Sequence, residues 1–261
     1  MYSHASFVSL ACFFPVRRSR RQSATEEERS RLPKYGDASD SGLCRALESL
    51  RPPLRFDVLA GTGFGPQENP ASVTYIAGHG GWLTAMSGHV MRGGRHFVGF
   101  TIECSVDQYG QTSAYVHLGV IRPVSLTNGI DWEADWNRTV NPMFVSSRNK
   151  PAVAEKLRSQ RTARWGDSNI HCCTYRCGNG QCHWTDWSNK ERISDWQGHE
   201  GLGGTSGTVG LLLDLDEGTL SVLMNGRRLG VMKDGLGGEY VWFVSVYSPC
   251  IISMAKCGAP K

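Results

Sequence analysis

The stretch from Thr208 to Met232 constrains the fold more than any other, because it has the pattern of three short strands joined by two tight turns. Its apolar residues recur at every second position, which places them on one face of a sheet. Those residues are Val209, Leu211, Leu213, Leu215, Leu220, Val222, Met224, Leu229 and Val231. Gly218 suits the first turn, and Asn225-Gly226 suits the positive φ angles of a type I′ hairpin. The stretch therefore predicts an antiparallel meander.

The rest of the chain continues this pattern, with short apolar segments separated by glycine and other turn residues. We expect further strands over residues 72–76, 82–86, 96–104, 114–120 and 238–246. No amphipathic helix pattern lies between these strands, as the crossovers of a parallel sheet would require. The predicted fold class is therefore all-β, an antiparallel β-sandwich.

Three regions of different composition divide the chain. Residues 1–53 are rich in Arg, Ser and Glu without sustained periodicity, so we expect a disordered or partly helical basic tail. Residues 54–71 are expected to form an entry strand and a Gly/Pro-rich linker, and residues 72–257 the sandwich. Within it, residues 138–164 carry seven Lys or Arg against one acid. This favours a solvated basic insertion, with one or two helical turns beginning at Pro151.

Composition argues against several partners and compartments. The net charge is only +4, which disfavours nucleic acid as a partner, and no stretch approaches the roughly 20 apolar residues of a membrane span. The nine cysteines are odd in number and unevenly spaced, which favours a reducing compartment. An apolar segment precedes the basic cluster at residues 17–21, the reverse of a secretory signal. We expect an intracellular protein, cytoplasmic or nuclear. We also expect a monomer that uses no cofactor.

Four segments, in order along the chain, resemble those of the SPRY domain family. They are residues 93–100 (GGRHFVGF), 117–122 (HLGVIR), 207–230 with its two turns, and 240–247 (YVWFVSVY). The resemblance covers about residues 72–254 and implies a single bent antiparallel β-sandwich of the concanavalin-like jelly-roll type. It also implies binding of a protein or peptide partner through loops at one edge, without catalysis. The chain differs from the family at Gly99, where many members carry Glu, and in its long insertion at residues 131–164.

Tryptophans in or beside loops are candidates for such a binding surface, since aromatic and Arg side chains dominate the energetics of interfaces. The candidate partner-binding residues are Asp131, Trp132, Trp136, Arg138, Trp165 and Asp167. An equally weighted alternative is that these indoles fill the edge of the sandwich beneath the insertion. A carbohydrate-binding sandwich is a second functional hypothesis, because sugar rings stack on exposed tryptophan. Trp136 is the residue by which we would test it.

The cysteines and histidines between residues 171 and 183 raise a third hypothesis, a zinc-stabilised module. Zinc prefers sets of four thiolate and imidazole ligands. The candidate ligands are His171, Cys173, Cys177, Cys182 and His183. Their spacing is not CxxC, and residues 178–180 read as a hairpin turn between two strands. Alternation would put Cys173 and Cys177 on one face and Cys172 on the other, so we favour buried side chains and predict no metal.

The sequence contains none of the catalytic motifs that would indicate an enzyme. Ser87 lacks the leading glycine of a nucleophile elbow, and there is neither an HExxH motif nor a phosphate-binding loop with lysine. Asp214 and Asp216 are better explained as strand-end and turn residues than as an acid–base pair. We therefore predict a protein without enzymatic activity.

Overall fold

A computed structural model describes residues 53–76, 80–104 and 115–255. These residues form thirteen strands, one α-helix and two 3-10 helices. The strands are β1 (Phe56–Ala60), β2 (Ser72–Thr74), β3 (Leu83–Ser87), β4 (Arg95–Cys104), β5 (Val116–Ile121), β6 (Cys172–Arg176), β7 (Cys182–Thr185), β8 (Arg192–Ser194), β9 (Gly207–Asp214), β10 (Thr219–Met224), β11 (Arg227–Lys233), β12 (Val241–Val246) and β13 (Cys250–Ala255). The helix α1 is Pro151–Ser159, and the 3-10 helices are Pro142–Phe144 and Ala163–Trp165. The tail predicted for residues 1–53 lies outside the described residues, apart from Pro53.

The strands pair into two antiparallel sheets that enclose one core. The seven-stranded sheet has the order β1-β3-β12-β5-β6-β7-β8, and the six-stranded sheet has the order β11-β10-β9-β4-β13-β2. Neighbours in space are often distant in sequence, as where β4 lies between β9 and β13. The predicted all-β antiparallel sandwich is confirmed.

The meander forms β9, β10 and β11 with the predicted turns. Asn225 and Gly226 have φ angles of 49° and 80°, as a type I′ hairpin requires. Val231 was expected on the core face, and this is wrong. Two register shifts between β10 and β11 turn Val231 towards solvent and bury Met232 in its place. A β-bulge adds one residue to a strand, so every side chain beyond it changes face.

The inner core lies between the sheets and follows the alternation of the strands. In β4, Val98, Phe100 and Ile102 are fully buried, while the residues between them face outward. Each such side chain contributes about 1.5–3 kcal/mol by leaving water. Gly119 allows β5 and β6 to approach, because a Cβ there would lie 2.0 Å from the carbonyl oxygen of Cys173.

A second core, here called the outer core, lies on the outer face of the seven-stranded sheet. Helix α1 buries Val153, Ala154 and Leu157 there, above sheet residues such as Ile121 and Phe243. The expectation of a solvated insertion over residues 138–164 is therefore wrong. Its apolar residues are spaced to cover a sheet, and this covering buries β5 and β12 on both faces.

The basic residues of the insertion make internal contacts. Lys156 Nζ lies 2.5 Å from Asp135 Oδ2, and Lys150 Nζ donates to the carbonyl oxygen of Trp136 at 2.6 Å. Their apolar stems lie along the outer core while their charges are paired at its margin. Among the described residues, no helix has the length and apolar character that crossing a membrane requires.

The segment predicted as an entry strand and linker, residues 54–71, contributes the first strand of the sandwich. β1 lies within residues 54–71 and pairs with β3, so the seven-stranded sheet starts before residue 72. The sequence patterns did not identify β8 or β13. β8 has only three residues, and β13 (CIISMA) is bounded by no glycine turn on its N-terminal side and shows no polar–apolar alternation in its sequence.

Candidate interaction surface

Two of the six candidate partner-binding residues are buried in the outer core. Trp136 is 1% exposed, and its Nε1 donates to the carbonyl oxygen of Leu126 at 2.8 Å. Trp165 is 0% exposed and lies beneath the guanidinium group of Arg122, 5.5 Å from its ring centroid. Neither indole is open to solvent. Both therefore fill the space beneath the insertion, which is the alternative to a binding role that the sequence left open.

The other four candidates lie nearer the surface but do not form one site. Asp131 closes a turn, since its Oδ1 accepts from the N–H groups of the second and third residues that follow it. Arg138 pairs with Glu133 at 3.0 Å, and both side chains are exposed. Trp132 is half-buried, and its ring packs against the cores. Asp167 is exposed beyond the second 3-10 helix, on a separate loop.

The carbohydrate hypothesis required an exposed tryptophan. All eight tryptophans of the chain are described, and none has an exposed side chain. Trp136, the residue that would test the hypothesis, is among the buried ones. Trp184 is half-buried, but the cations of Arg192 and Lys233 lie over its ring at 4.5 and 5.1 Å. The exposed tryptophan that the carbohydrate hypothesis required is therefore absent from the described residues.

The zinc candidates lie on opposite faces of the seven-stranded sheet. Cys173, Cys177 and Cys182 belong to the inner core, whereas the rings of His171 and His183 lie on the outer face. Within the described residues, no group of three or more His, Cys, Asp or Glu side chains is arranged to hold a metal ion. The arrangement therefore does not support the zinc hypothesis.

The face assignments behind this result were predicted from strand alternation. Cys172 lies in the outer core and Cys173 in the inner core, as predicted. Burial raises the pKa of each of these thiols well above its ordinary value. Burial also lowers the pKa of His171 and of His183 to about 4. These groups are therefore neutral thiols and neutral imidazoles at physiological pH.

Another set of aromatic residues reaches the surface at the end of the seven-stranded sheet where β5 begins and β12 ends. We call this set the aromatic patch; it consists of Trp82, Tyr115, Phe144 and Tyr247. Tyr115 is 45% exposed and Tyr247 is 42% exposed, while the other two rings are half-buried. Trp82 lies at the centre, with ring centroids 5.6 Å from Tyr247 and 5.7 Å from Phe144. Tyr115 meets Tyr247 edge to face at 6.2 Å.

Strand ends hold these rings in position. The N–H of Tyr247 donates to the carbonyl oxygen of Tyr115 at 3.0 Å, just beyond the last register pair of β5 and β12. The N–H of Trp82 donates to Thr139 Oγ1 at 2.9 Å, and its carbonyl oxygen accepts from the N–H of Val140 at 2.7 Å. The patch therefore rests on paired backbone, which fixes the spacing of the rings.

Two histidines lie directly beneath the aromatic patch. The ring of His117 is 4.8 Å from Trp82, 5.4 Å from Phe144 and 5.4 Å from His183. His117 is 1% exposed and His183 is 3% exposed. The pKa of His117 is held well below its ordinary value, first by burial and then by the charges of His183 and Arg176. The rings above are thus backed by a buried layer of neutral imidazoles.

Sequence reasoning missed the aromatic patch because its four members lie in four separate segments of the chain. Tyr247 ends the landmark segment 240–247, and Trp82 begins the predicted strand 82–86, so the sequence assigns both residues to the scaffold. One signal was available. His117, Arg176 and His183 are polar residues within otherwise apolar strands, and polar residues on a sheet face need either solvent or partners. That signal identifies the face but not which rings lie over it.

Comparison with known proteins gave matches among solved structures only. No family model matches the chain. No curated protein matches it either. The SPRY domain of human HERC1 is 15% identical, with a TM-score of 0.47, covering 76% of this chain and 100% of that one. The TRIM65 PSpry domain is 16% identical, with a TM-score of 0.45, covering 85% and 98%. A human SPRY domain is 10% identical, with a TM-score of 0.43, covering 78% and 100%.

The four sequence landmarks can be placed on the fold independently of these matches. Residues 93–100 lead into β4 and form its first half, residues 117–122 lie in β5 and end just after it, residues 207–230 span most of the meander, and residues 240–247 contain β12. They lie in both sheets, and β12 pairs with β5 while β4 pairs with β9. The four landmarks therefore form the framework of the sandwich rather than isolated motifs. The chain therefore carries an antiparallel β-sandwich with these four segments at its centre.

Proposed function

We propose that this chain is a non-catalytic interaction module that binds a peptide or protein partner through the aromatic patch. One observation carries the proposal: Tyr115 and Tyr247 are both more than two-fifths exposed and touch each other beside the half-buried Trp82. Tyr and Trp are enriched at binding hot spots, because they bury a large area at low entropic cost. The patch replaces the loop residues 131–138 as the candidate site.

The rigidity of the patch supports the same function. Backbone hydrogen bonds to Thr139 and Val140 hold Trp82, and β5 and β12 hold the two tyrosines. A surface already held in its binding geometry loses less entropy on association than a flexible loop does. The resemblance to SPRY domains implies binding through loops at one edge of the sandwich, and the two tyrosines of the patch lie beside the start of β5 and the end of β12.

The local structure of the acidic pair supports the absence of catalysis. Asp214 Oδ1 accepts from the N–H groups of Asp216 and Glu217 at 3.1 Å, and its other oxygen pairs with Arg95. Asp216 Oδ1 accepts from the N–H of Gly94 at 2.9 Å. Both carboxylates therefore serve to close turns, as the sequence indicated.

Selection from a library of short random peptides, displayed on phage and presented to the immobilised full chain, tests this proposal. We expect selected peptides to bind the native chain and to lose binding when Tyr115 and Tyr247 are both changed to Ala. The matched control is Ile251→Ala, an exposed apolar side chain on the other sheet, which should bind as the native chain does. Each removed hot-spot ring weakens binding by about 2 kcal/mol.

Two results would contradict the proposal. The first is a selection that enriches no peptide. The second is an enriched peptide that the Tyr115→Ala/Tyr247→Ala variant binds as tightly as the native chain does, since binding would then occur elsewhere.

A further inference from the structure

We infer that the aromatic patch recognises a carboxylate, an Asp or Glu side chain flanked by apolar residues in the partner, with Arg176 as the ionic anchor. This inference rests on the proposed function and names the chemistry of its ligand. It depends on three observations: unpaired polar groups beneath the patch, aromatic rings above them, and a cation without a counter-ion on the neighbouring strand.

The polar groups beneath the patch are buried without hydrogen-bond partners. They include Nδ1 of His117, both ring nitrogens of His183 and Oγ1 of Thr174. Thr174 is opposite His183 in the β6–β7 register, and His117 is on the neighbouring strand β5. Unpaired buried polar groups lower the stability of the fold. They are found at sites where a ligand supplies the missing hydrogen bonds, or where the local electrostatic field acts on a ligand. Here they are concentrated directly beneath exposed rings.

Arg176 supplies the charge. It pairs directly with His117 in the β5–β6 register, and the residue is half-buried. It makes no ion pair and no side-chain hydrogen bond with another described residue. Its positive charge acts on both imidazoles, since it contributes to lowering the pKa of His117 and of His183. An unpaired guanidinium beside a neutral, buried layer attracts an anion more strongly than one in open solvent does.

The surroundings select a carboxylate rather than a more highly charged group. Arg138, which follows Trp136 in the chain, is already paired with Glu133. One available guanidinium matches the single charge of a carboxylate, which it can bind through two parallel hydrogen bonds. A phosphate carries up to two charges, and its recognition usually uses a cluster of arginines. Apolar residues beside the carboxylate would contact the rings of Trp82 and Tyr247.

The test uses a peptide obtained from the selection described above, labelled for fluorescence anisotropy with the full chain. Three synthetic forms are compared: the acidic peptide, the same peptide with its Asp or Glu changed to the amide, and one with phosphoserine at that position. We expect the amide form to bind about tenfold more weakly or worse, as loss of one partner of a desolvated charge pair implies. We expect the phosphoserine form to bind no better than the acidic one.

Arg176→Gln is the matching change on the protein. We expect it to weaken binding of the acidic peptide about tenfold and to leave the amide peptide almost unchanged, because the two changes remove the same contact. The control is Arg228→Gln, an exposed arginine on β11 in the other sheet, which should have no effect. Since the side chain of Arg176 has no partner in the described structure, its removal should not impair folding.

The outcomes separate the two proposals. If the acidic and amide peptides bind equally, or if Arg176→Gln behaves as Arg228→Gln does, the carboxylate inference is wrong. The proposed function would then still stand, provided that the Tyr115→Ala/Tyr247→Ala variant loses binding. If no peptide is selected, both proposals are wrong. Tighter binding of the phosphoserine form would replace the carboxylate by a phosphate as the ligand.

Discussion

The outer face of the seven-stranded sheet carries two aromatic regions with opposite accessibility. In the outer core, Trp136 and Trp165 are sealed beneath α1 and its flanking loops. In the aromatic patch, Tyr115 and Tyr247 lie on the same sheet and are open to solvent. The residue types are similar, so composition does not distinguish a structural region from a binding region. What distinguishes them is whether another segment of the chain packs on top.

The largest expected difference between the two regions concerns stability. Trp136→Ala should lower the free energy of unfolding by about 3–5 kcal/mol, because it empties the outer core and leaves the carbonyl oxygen of Leu126 without its donor. Equilibrium unfolding in urea measures this effect. A loss below about 1 kcal/mol would mean that the outer core adds little to the sandwich.

A pair of glycines extends the comparison to the two sheets. Gly119→Ala should destabilise the protein by about 3 kcal/mol, because the new Cβ would meet the carbonyl oxygen of Cys173 in a sheet buried on both faces. Gly210→Ala, on the six-stranded sheet, would meet only the Phe97 ring and Leu223 Cβ at 2.9–3.3 Å. The half-exposed ring can move, so we expect a change below about 1 kcal/mol.

Melting temperatures of the two alanine variants provide the measurement. Equal losses at Gly119 and Gly210 would contradict the view that the covered sheet is the more tightly constrained of the two.

The buried histidines give each region its own pH dependence. Histidine in an unfolded chain has a pKa of about 6.5, whereas burial lowers the pKa of His171, in the outer core, and of His183, beneath the patch, to about 4. Between about pH 6.5 and 4 the unfolded chain therefore binds protons that the folded protein does not. Stability should fall as the pH falls through this range, by up to about 1 kcal/mol per pH unit for each histidine.

Urea unfolding at a series of pH values, on the native chain and on His171→Gln and His183→Gln, measures both contributions. Each variant should reduce the slope of the free energy of unfolding against pH by the contribution of the histidine that it removes. His117, which both variants keep, should still contribute to that slope. A slope that neither variant changes would show that other groups titrate in this range.

The smallest expected effect on stability is in the patch. Changing Tyr115 and Tyr247 together to Ala should lower the free energy of unfolding by less than about 1 kcal/mol, because exposed rings gain little on folding. Thermal unfolding measures this loss, and peptide binding is measured on the same variant. The loss of stability is then compared with that of Trp136→Ala. A loss as large as that of Trp136→Ala would assign the tyrosines to the core and remove the main support for the proposed function.

The scaffold was largely predictable, because its signals are local. The meander over residues 208–232, its Asn225-Gly226 turn and the faces of Cys172 and Cys173 follow from a period of two and from backbone geometry. Where a bulge shifts the register, as at Val231, the same rule gives the wrong face, since one extra residue is not visible in an apolar pattern.

The candidate site was not predictable in the same way. Trp136 and Trp165 were selected because they lie beside loops, but burial depends on what covers a residue and not on the element that carries it. The basic charge of residues 138–164 indicated solvent, yet the apolar side of α1 decided its position. A short amphipathic helix with Pro151 at its start can be recognised in the sequence, but the sheet face that it covers cannot.

The sequence by itself determined the strands, the turns and the resemblance to SPRY domains, because alternation and turn chemistry act between residues close together in the chain. Only the tertiary structure decided which aromatic rings are accessible. Trp82, His117, Phe144, His183 and Tyr247 meet through strand pairing and through the end of the insertion, across more than half of the chain. Accessibility is a property of packing between distant segments, so the proposed binding surface appears only when the sheet is assembled.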